Sequence, residues 1–155
     1  MKPHYLIIPL VTVLVAVIGS RFTSVGLAEW YGTIKLPSWT PPGGVIGAVW
    51  TTIFILSTAS ALIIWNTPSA KAKLPVFAAV FLANAALNVL WSWIFFVQHR
   101  LVVAGWEAVL LGLTCVALVV LAWPVSRLAA ALLMPYAAWV AFASYLTFTV
   151  ARLNR

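Results

Sequence analysis

Polar residues are so sparse along this chain that they act as punctuation between apolar runs. The runs cover Tyr5–Phe22, Gly44–Trp65, Leu74–Val97, Leu101–Trp123 and Leu128–Val150. Each is close to the roughly 20 residues that a helix needs to cross a hydrocarbon core of about 30 Å. They are continuous and do not alternate at period two, which excludes a transmembrane barrel. The pattern predicts an all-α integral membrane protein, a five-helix bundle forming one domain over residues 1–155. The connectors Asn66–Lys73, Gln98–Arg100 and Pro124–Arg127 are short, so consecutive helices are expected to be antiparallel neighbours. Only the first connector, Thr23–Gly43, is long. No repeat is evident, and an odd number of spans argues against two equal inverted halves. Lys2 and the pair Gly19-Ser20 give the first run a faint look of a signal peptide. The run is longer than an ordinary signal core and its basic start is thin, so a retained span is expected.

Composition narrows the class further. The chain is 65% hydrophobic and 7% charged, against about 25% charged residues in a soluble domain. A soluble enzyme and a disordered chain are both excluded. The net charge of +7 points to a membrane surface and not to nucleic acid, because the basic residues are scattered between apolar runs. Lys2, Lys71, Lys73 and Arg127 fall at one end of the bundle, and Arg21, Lys35, Arg100, Arg152 and Arg155 at the other. That near-balance does not set the orientation. A single cysteine, Cys115, excludes a disulfide framework and a cysteine-rich metal site.

Catalytic hardware is scarce. The chain has no Asp, and His4 and His99 stand at span ends, so no Ser/His/Asp set, phosphate loop or metal cluster can be assembled. The few polar groups inside the spans therefore carry the interest. Asn84 and Asn88 share a helix face with Trp91 and Phe95, while Ala79, Ala83 and Ala86 fall roughly opposite. The amide face either lines a pocket or bonds neighbouring helices, and the small face suits close helix packing. Glu107 lies about two turns into the fourth span, where an acid is either functional or a structural polar contact. Cys115 is expected to be an apolar filler.

Aromatic residues form stripes. Trp50, Phe54 and Ser57 align on the second span, and Pro135, Trp139, Ala143 and Leu146 on the fifth. Pro135 removes a backbone hydrogen bond and predicts a kink near Tyr136. Of nine tryptophans, Trp30, Trp39, Trp65, Trp106 and Trp123 lie near span ends or in the first loop and suit interfacial belts. Trp93 is unassigned. Trp50, Trp91 and Trp139 lie deeper, where an indole N–H needs a partner. The first loop contains three prolines and several aromatics, which predicts a stiff lid over the mouth of the bundle.

These residues resemble a known family. Trp30-Tyr31, Leu36-Pro37-Ser38-Trp39-Thr40-Pro41-Pro42, Val49-Trp50-Thr51, Leu87-Asn88, Trp91, Phe95-Phe96, Pro135-Tyr136-Ala137-Ala138-Trp139 and Leu153-Asn154 are similar, in order, to the translocator protein family. Its bacterial members are called tryptophan-rich sensory proteins. The resemblance implies five membrane helices, a homodimer and, for a bacterial-type member, the cell membrane. It implies binding of porphyrins such as protoporphyrin IX and haem, and of isoquinoline carboxamide and benzodiazepine compounds, with no obligatory cofactor. Roles in tetrapyrrole and stress regulation, and light- and oxygen-dependent porphyrin breakdown, are implied as well.

By matching position, the ligand pocket would use Tyr31, Pro41, Ile46, Trp50, Phe54, Asn88, Trp91, Ser92, Phe95, Trp139, Ala143 and Leu146, with Asn84 on the same face. Trp50 and Trp139 match the tryptophans tied to porphyrin breakdown, and indoles can both stack on a macrocycle and donate an electron to it. No histidine falls in this set, so binding is not expected to require iron or another metal. Two departures stand out. Leu36 occupies the place before the loop proline where the family usually has lysine. Between Tyr145 and Arg152 there are six residues, too many for the family's sterol motif, so specific sterol recognition is not expected. Sensor or scavenger, photo-oxidative enzyme and small-molecule transporter remain the competing readings.

Overall fold

The computed structural model describes residues 2–155. Five helices are long and apolar enough to cross a membrane: α1 (His4–Glu29), α2 (Gly43–Asn66), α3 (Leu74–Phe96), α4 (Leu101–Ala122) and α5 (Arg127–Leu153). Short 3-10 turns at Tyr31–Thr33 and Pro68–Ala70 lie in the first two connectors. Pro75 sits in the first turn of α3, where its missing N–H costs nothing. The Ser126 hydroxyl caps α5 by accepting from the Ala129 N–H at 3.2 Å. Helix α5 continues without a break through Pro135.

The first span is longer than its hydropathy suggests. It was expected to stop at Phe22, yet it continues to Glu29, so the long connector shrinks to Trp30–Pro42. Thr23 and Ser24 end the apolar run but do not end the helix. Their hydroxyls donate to the Gly19 and Ser20 carbonyls at 2.9 and 2.8 Å, inside the helix's own ladder.

Packing gives a ring in the order α1–α2–α5–α4–α3, closed by α3 against α1. The expectation that every consecutive pair is adjacent fails at one place: α2 and α3 make no substantial contact, because α1 lies between them. The connector 67–73, with its 3-10 turn, is long enough to step past it.

Close crossings depend on glycine. A Cβ at Gly26 of α1 would come within 2.6 Å of Phe96 on α3, and one at Gly105 of α4 within 2.6 Å of Phe148 on α5. A Cβ at Gly19 would meet the Ser92 hydroxyl, and one at Gly112 would meet Val140, each at the 3.5 Å of ordinary contact. Helices in lipid gain association energy from such approaches, since hydrocarbon tails are as apolar as leucine. The alanine face of α3 is not used in this way: Ala79, Ala83 and Ala86 are exposed on the single chain.

Gly105→Ala is expected to destabilise the protein by ~1–3 kcal/mol through forced displacement of Phe148, whereas Gly112→Ala should be nearly neutral. Thermal unfolding in detergent checks both, and equal effects would show that the Gly105 crossing is not tight.

Candidate functional site

Two of the bundle's three buried clusters hold the aromatic residues singled out in the sequence. In the deeper one Ile53, Leu111, Cys115, Tyr136 and Val140 are buried, with Trp50, Leu87 and Trp139 packed against them. Trp50 lies 5.7 Å from Phe54 and 6.0 Å, edge-on, from Tyr136 by ring centroids. In the upper layer Ile94, Phe95, Phe96, Ala104 and Val150 are buried, with Trp30, Tyr31, Trp91 and Leu146 around them. Trp91 stacks on Phe95 at 5.0 Å.

A chain of hydrogen bonds ties α3, α4 and α5 together in the deeper layer. The Asn88 amide donates to the Tyr136 hydroxyl at 3.0 Å, and that hydroxyl donates to the Asn84 carbonyl at 3.0 Å. The Asn84 amide then donates to Thr114 Oγ1 at 2.8 Å and to Cys115 Sγ at 3.3 Å. The asparagines bond neighbouring helices, and they also line a small cavity of about 20 Å³ with Phe54, Ser57, Phe81 and Tyr136. That is space for about one water. A larger apolar groove of about 560 Å³ opens to the outside between α1 and α3 and is walled in part by Trp93. Val11, Val15 and Ala85 line both, so they form the wall between the groove and the interior.

The loop Trp30–Pro42 is fastened across the upper end. The Asn154 side chain accepts from the Lys35 N–H and donates to the Lys35 carbonyl, each at 2.9 Å, as a strand partner would. Trp39 stacks on Tyr145 of α5 at 5.5 Å. Trp30 stacks on His99 at 4.2 Å, and His99 itself adopts a left-handed backbone (φ 56°) just past α3. Burial pushes the Tyr31 hydroxyl above the ordinary tyrosine range, so it stays neutral at physiological pH.

The sequence-derived site residues thus fall into groups. Trp50, Phe54, Asn84, Asn88 and Trp139 meet in the deeper layer, and Tyr31, Trp91, Phe95 and Leu146 in the upper one. Ser92 lies against Gly19 of α1. Pro41, Ile46 and Ala143 are half-buried and belong to neither cluster. Sequence reasoning missed Tyr136, Thr114 and Asn154. Tyr136 carried a signal, since a mid-span tyrosine hydroxyl needs a partner. The indole N–H groups of Trp91 and Trp139, the Ser57 hydroxyl and both Glu107 carboxyl oxygens are buried without a partner. No cluster of His, Cys, Asp or Glu able to hold a metal occurs among the described residues.

Such a bundle, with five apolar spans and indoles and amides in its interior, is a multi-pass helical membrane protein. The chain belongs to the TspO/MBR family, whose model matches residues 7–153. It is 38% identical over 126 residues to the uncharacterized membrane protein YtaB of Bacillus subtilis, covering 81% of each chain. It is 38% identical to the tryptophan-rich protein TspO of Bacillus cereus, covering 81% of this chain and 80% of that one. It is 36% identical over 143 residues to the human translocator protein, covering 88% and 82%.

Tyr136→Phe should cost ~1–3 kcal/mol, because it leaves buried amide groups of Asn84 and Asn88 without their shared hydroxyl. Thermal unfolding of the variant measures this. A shift within error of zero would mean that the amides find other partners.

Proposed function

We propose that this chain binds tetrapyrroles such as protoporphyrin IX or haem within the bundle, as a membrane sensor, scavenger or translocator. The observation that carries the reading is that Trp50 and Trp139, from α2 and α5, pack on one interior cluster, while the Trp139 N–H has no partner. Indole faces suit a flat macrocycle, and an unused N–H suits a ligand acceptor. The family and the name translocator protein borne by a relative agree with a ligand-handling role. The interior cavity of about 20 Å³ is far below the several hundred Å³ of a drug-sized pocket. Binding therefore requires the bundle to widen, and Val11, Val15 and Ala85, which line both spaces, are the side chains that must move to join the outer groove to the cavity. Only α1 and α3 flank that groove. The loop acts as the lid, with Tyr31 as its inner face.

Protoporphyrin IX added to the purified protein is expected to quench tryptophan fluorescence saturably. Trp50→Phe and Trp139→Phe should each weaken binding about 2–10-fold, the size of one aromatic pairing. Quenching that grows linearly and matches that of empty micelles would refute tetrapyrrole binding. The same indoles favour a second reading, photo-oxidative breakdown of the porphyrin. At saturating porphyrin, light and oxygen should then yield a product that both variants fail to form, and equal product from all three proteins would sink it.

The exposed alanine face of α3 supports a homodimer built on Ala79, Ala83 and Ala86. Ala83→Leu should shift the protein towards monomer in sedimentation measurements, without loss of helicity. An unchanged oligomer would place the dimer contact elsewhere.

A further inference from the structure

Glu107 plays no part in the chemistry above. It lies on the buried stripe of α4 with Ala104, Ala108, Leu111 and Cys115. It is 8% exposed, and neither carboxyl oxygen has a partner. All nine Lys and Arg side chains are exposed, so no cation of this chain is buried with it. A carboxyl without a partner at membrane depth is costly, and such a cost persists where the group has a use.

Its level in the bundle follows from the packing. Ala104 belongs to the upper layer and Leu111 to the deeper one, so Glu107 lies between them. On α3 the same interval, between Leu87 and Ile94, contains Trp91. On α5 the interval between Val140 and Val150 contains Ser144 and Thr147. The register is fixed independently by Gly105 against Phe148, Gly112 against Val140, and Asn84 on Thr114. The Ser144 and Thr147 hydroxyls are spent on their own helix carbonyls, each at 2.8 Å. Two groups at this level remain unspent: the Glu107 carboxyl and the Trp91 N–H. Above them Trp91, Phe95 and Phe96 form an aromatic wall, with centroids 4.8–5.9 Å apart. A carboxyl at the level of these rings can pass its proton to an arriving amine and hold the resulting ammonium against their π faces.

We propose that Glu107 anchors the protonated nitrogen of an apolar aromatic amine, seated between α3, α4 and α5 beneath the loop. This goes beyond tetrapyrrole binding, because a carboxyl at this level offers a porphyrin's propionates no counter-charge and selects a second class of ligand.

The test uses the full chain in nonionic detergent and equilibrium dialysis of three probes that share one ring: 1-naphthylmethylamine, 1-naphthylmethanol and 1-naphthylacetate. Empty micelles give the partition background. The amine should bind at least about tenfold more tightly than the acetate, the worth of one charge-assisted hydrogen bond. Glu107→Gln, nearly isosteric, should weaken the amine about tenfold while leaving the methanol within about twofold. Retained binding of the methanol shows that the variant is folded and its aromatic wall intact. The proposal fails if the amine binds no better than the methanol, or if Glu107→Gln leaves the amine unchanged; Glu107 would then meet an internal water only. Protoporphyrin titration of the same preparations separates the two ideas. Porphyrin binding without amine preference refutes this proposal alone, and amine preference without porphyrin binding refutes the tetrapyrrole reading alone.

Discussion

Hydrocarbon offers no hydrogen bonds, so every polar group in the spans must find its partner inside the protein. Most hydroxyls here turn back on their own helix: Thr51, Thr52, Ser144, Thr147 and Thr149 all donate to the carbonyl one turn earlier. A few polar side chains reach across the bundle interior instead. Thr58 donates to Thr12 between α2 and α1, Ser60 to the Ala129 carbonyl between α2 and α5, and the Asn84–Asn88–Tyr136 chain joins α3, α4 and α5. Two seams of the ring, α1–α2 and α2–α5, and the α3–α4 seam thus carry cross-helix bonds, while Tyr136 reaches across the ring from α5 to α3, and glycines set how closely α1 approaches α3 and α4 approaches α5.

The existence of five spans was legible because length and continuous hydropathy are properties of each segment alone. Which helix lies beside which was not, because lipid-facing and protein-facing surfaces are equally apolar in a membrane helix. The same ambiguity touched the small residues. Gly26 and Gly105 mark tight crossings, whereas Gly47 meets open space and Ala79, Ala83 and Ala86 are exposed, so small size alone does not mark a crossing. The end of α1 was hidden for a different reason: Thr23 and Ser24 look like a helix stop in hydropathy, yet satisfy themselves within the helix.

At the candidate site, spacing found the faces but not the layers. Asn84 and Asn88 on one face of α3 were readable from their separation, and so was their kinship with Trp91. That Asn84 and Asn88 share a hydroxyl from α5, while Trp91 belongs to a layer above, depends on helix register, which a single sequence does not encode. Glu107 was conspicuous as an acid in a span. Its isolation from every cation became visible only once the exposure of the basic residues was known.

The tryptophans show how far one residue type can be divided by position. Trp30 and Trp39 are not simple interfacial anchors: they stack on His99 and Tyr145 and pin the loop to α3 and α5 from opposite sides. Asn154 adds a paired bond to the loop backbone between those two pins. Three separate contacts thus hold the loop against the bundle. Trp93 stands on the outer groove, while Trp50 and Trp139 stand on the inner cluster. Val11, Val15 and Ala85 form the wall between that groove and the inner cavity. A hydrophobic molecule arriving from the bilayer therefore meets indole outside and indole inside, with apolar side chains between. At the other end of the same interior the loop lays Trp30, Tyr31, Ile34 and Leu36 on the upper cluster, so aromatic and apolar side chains bound it there too.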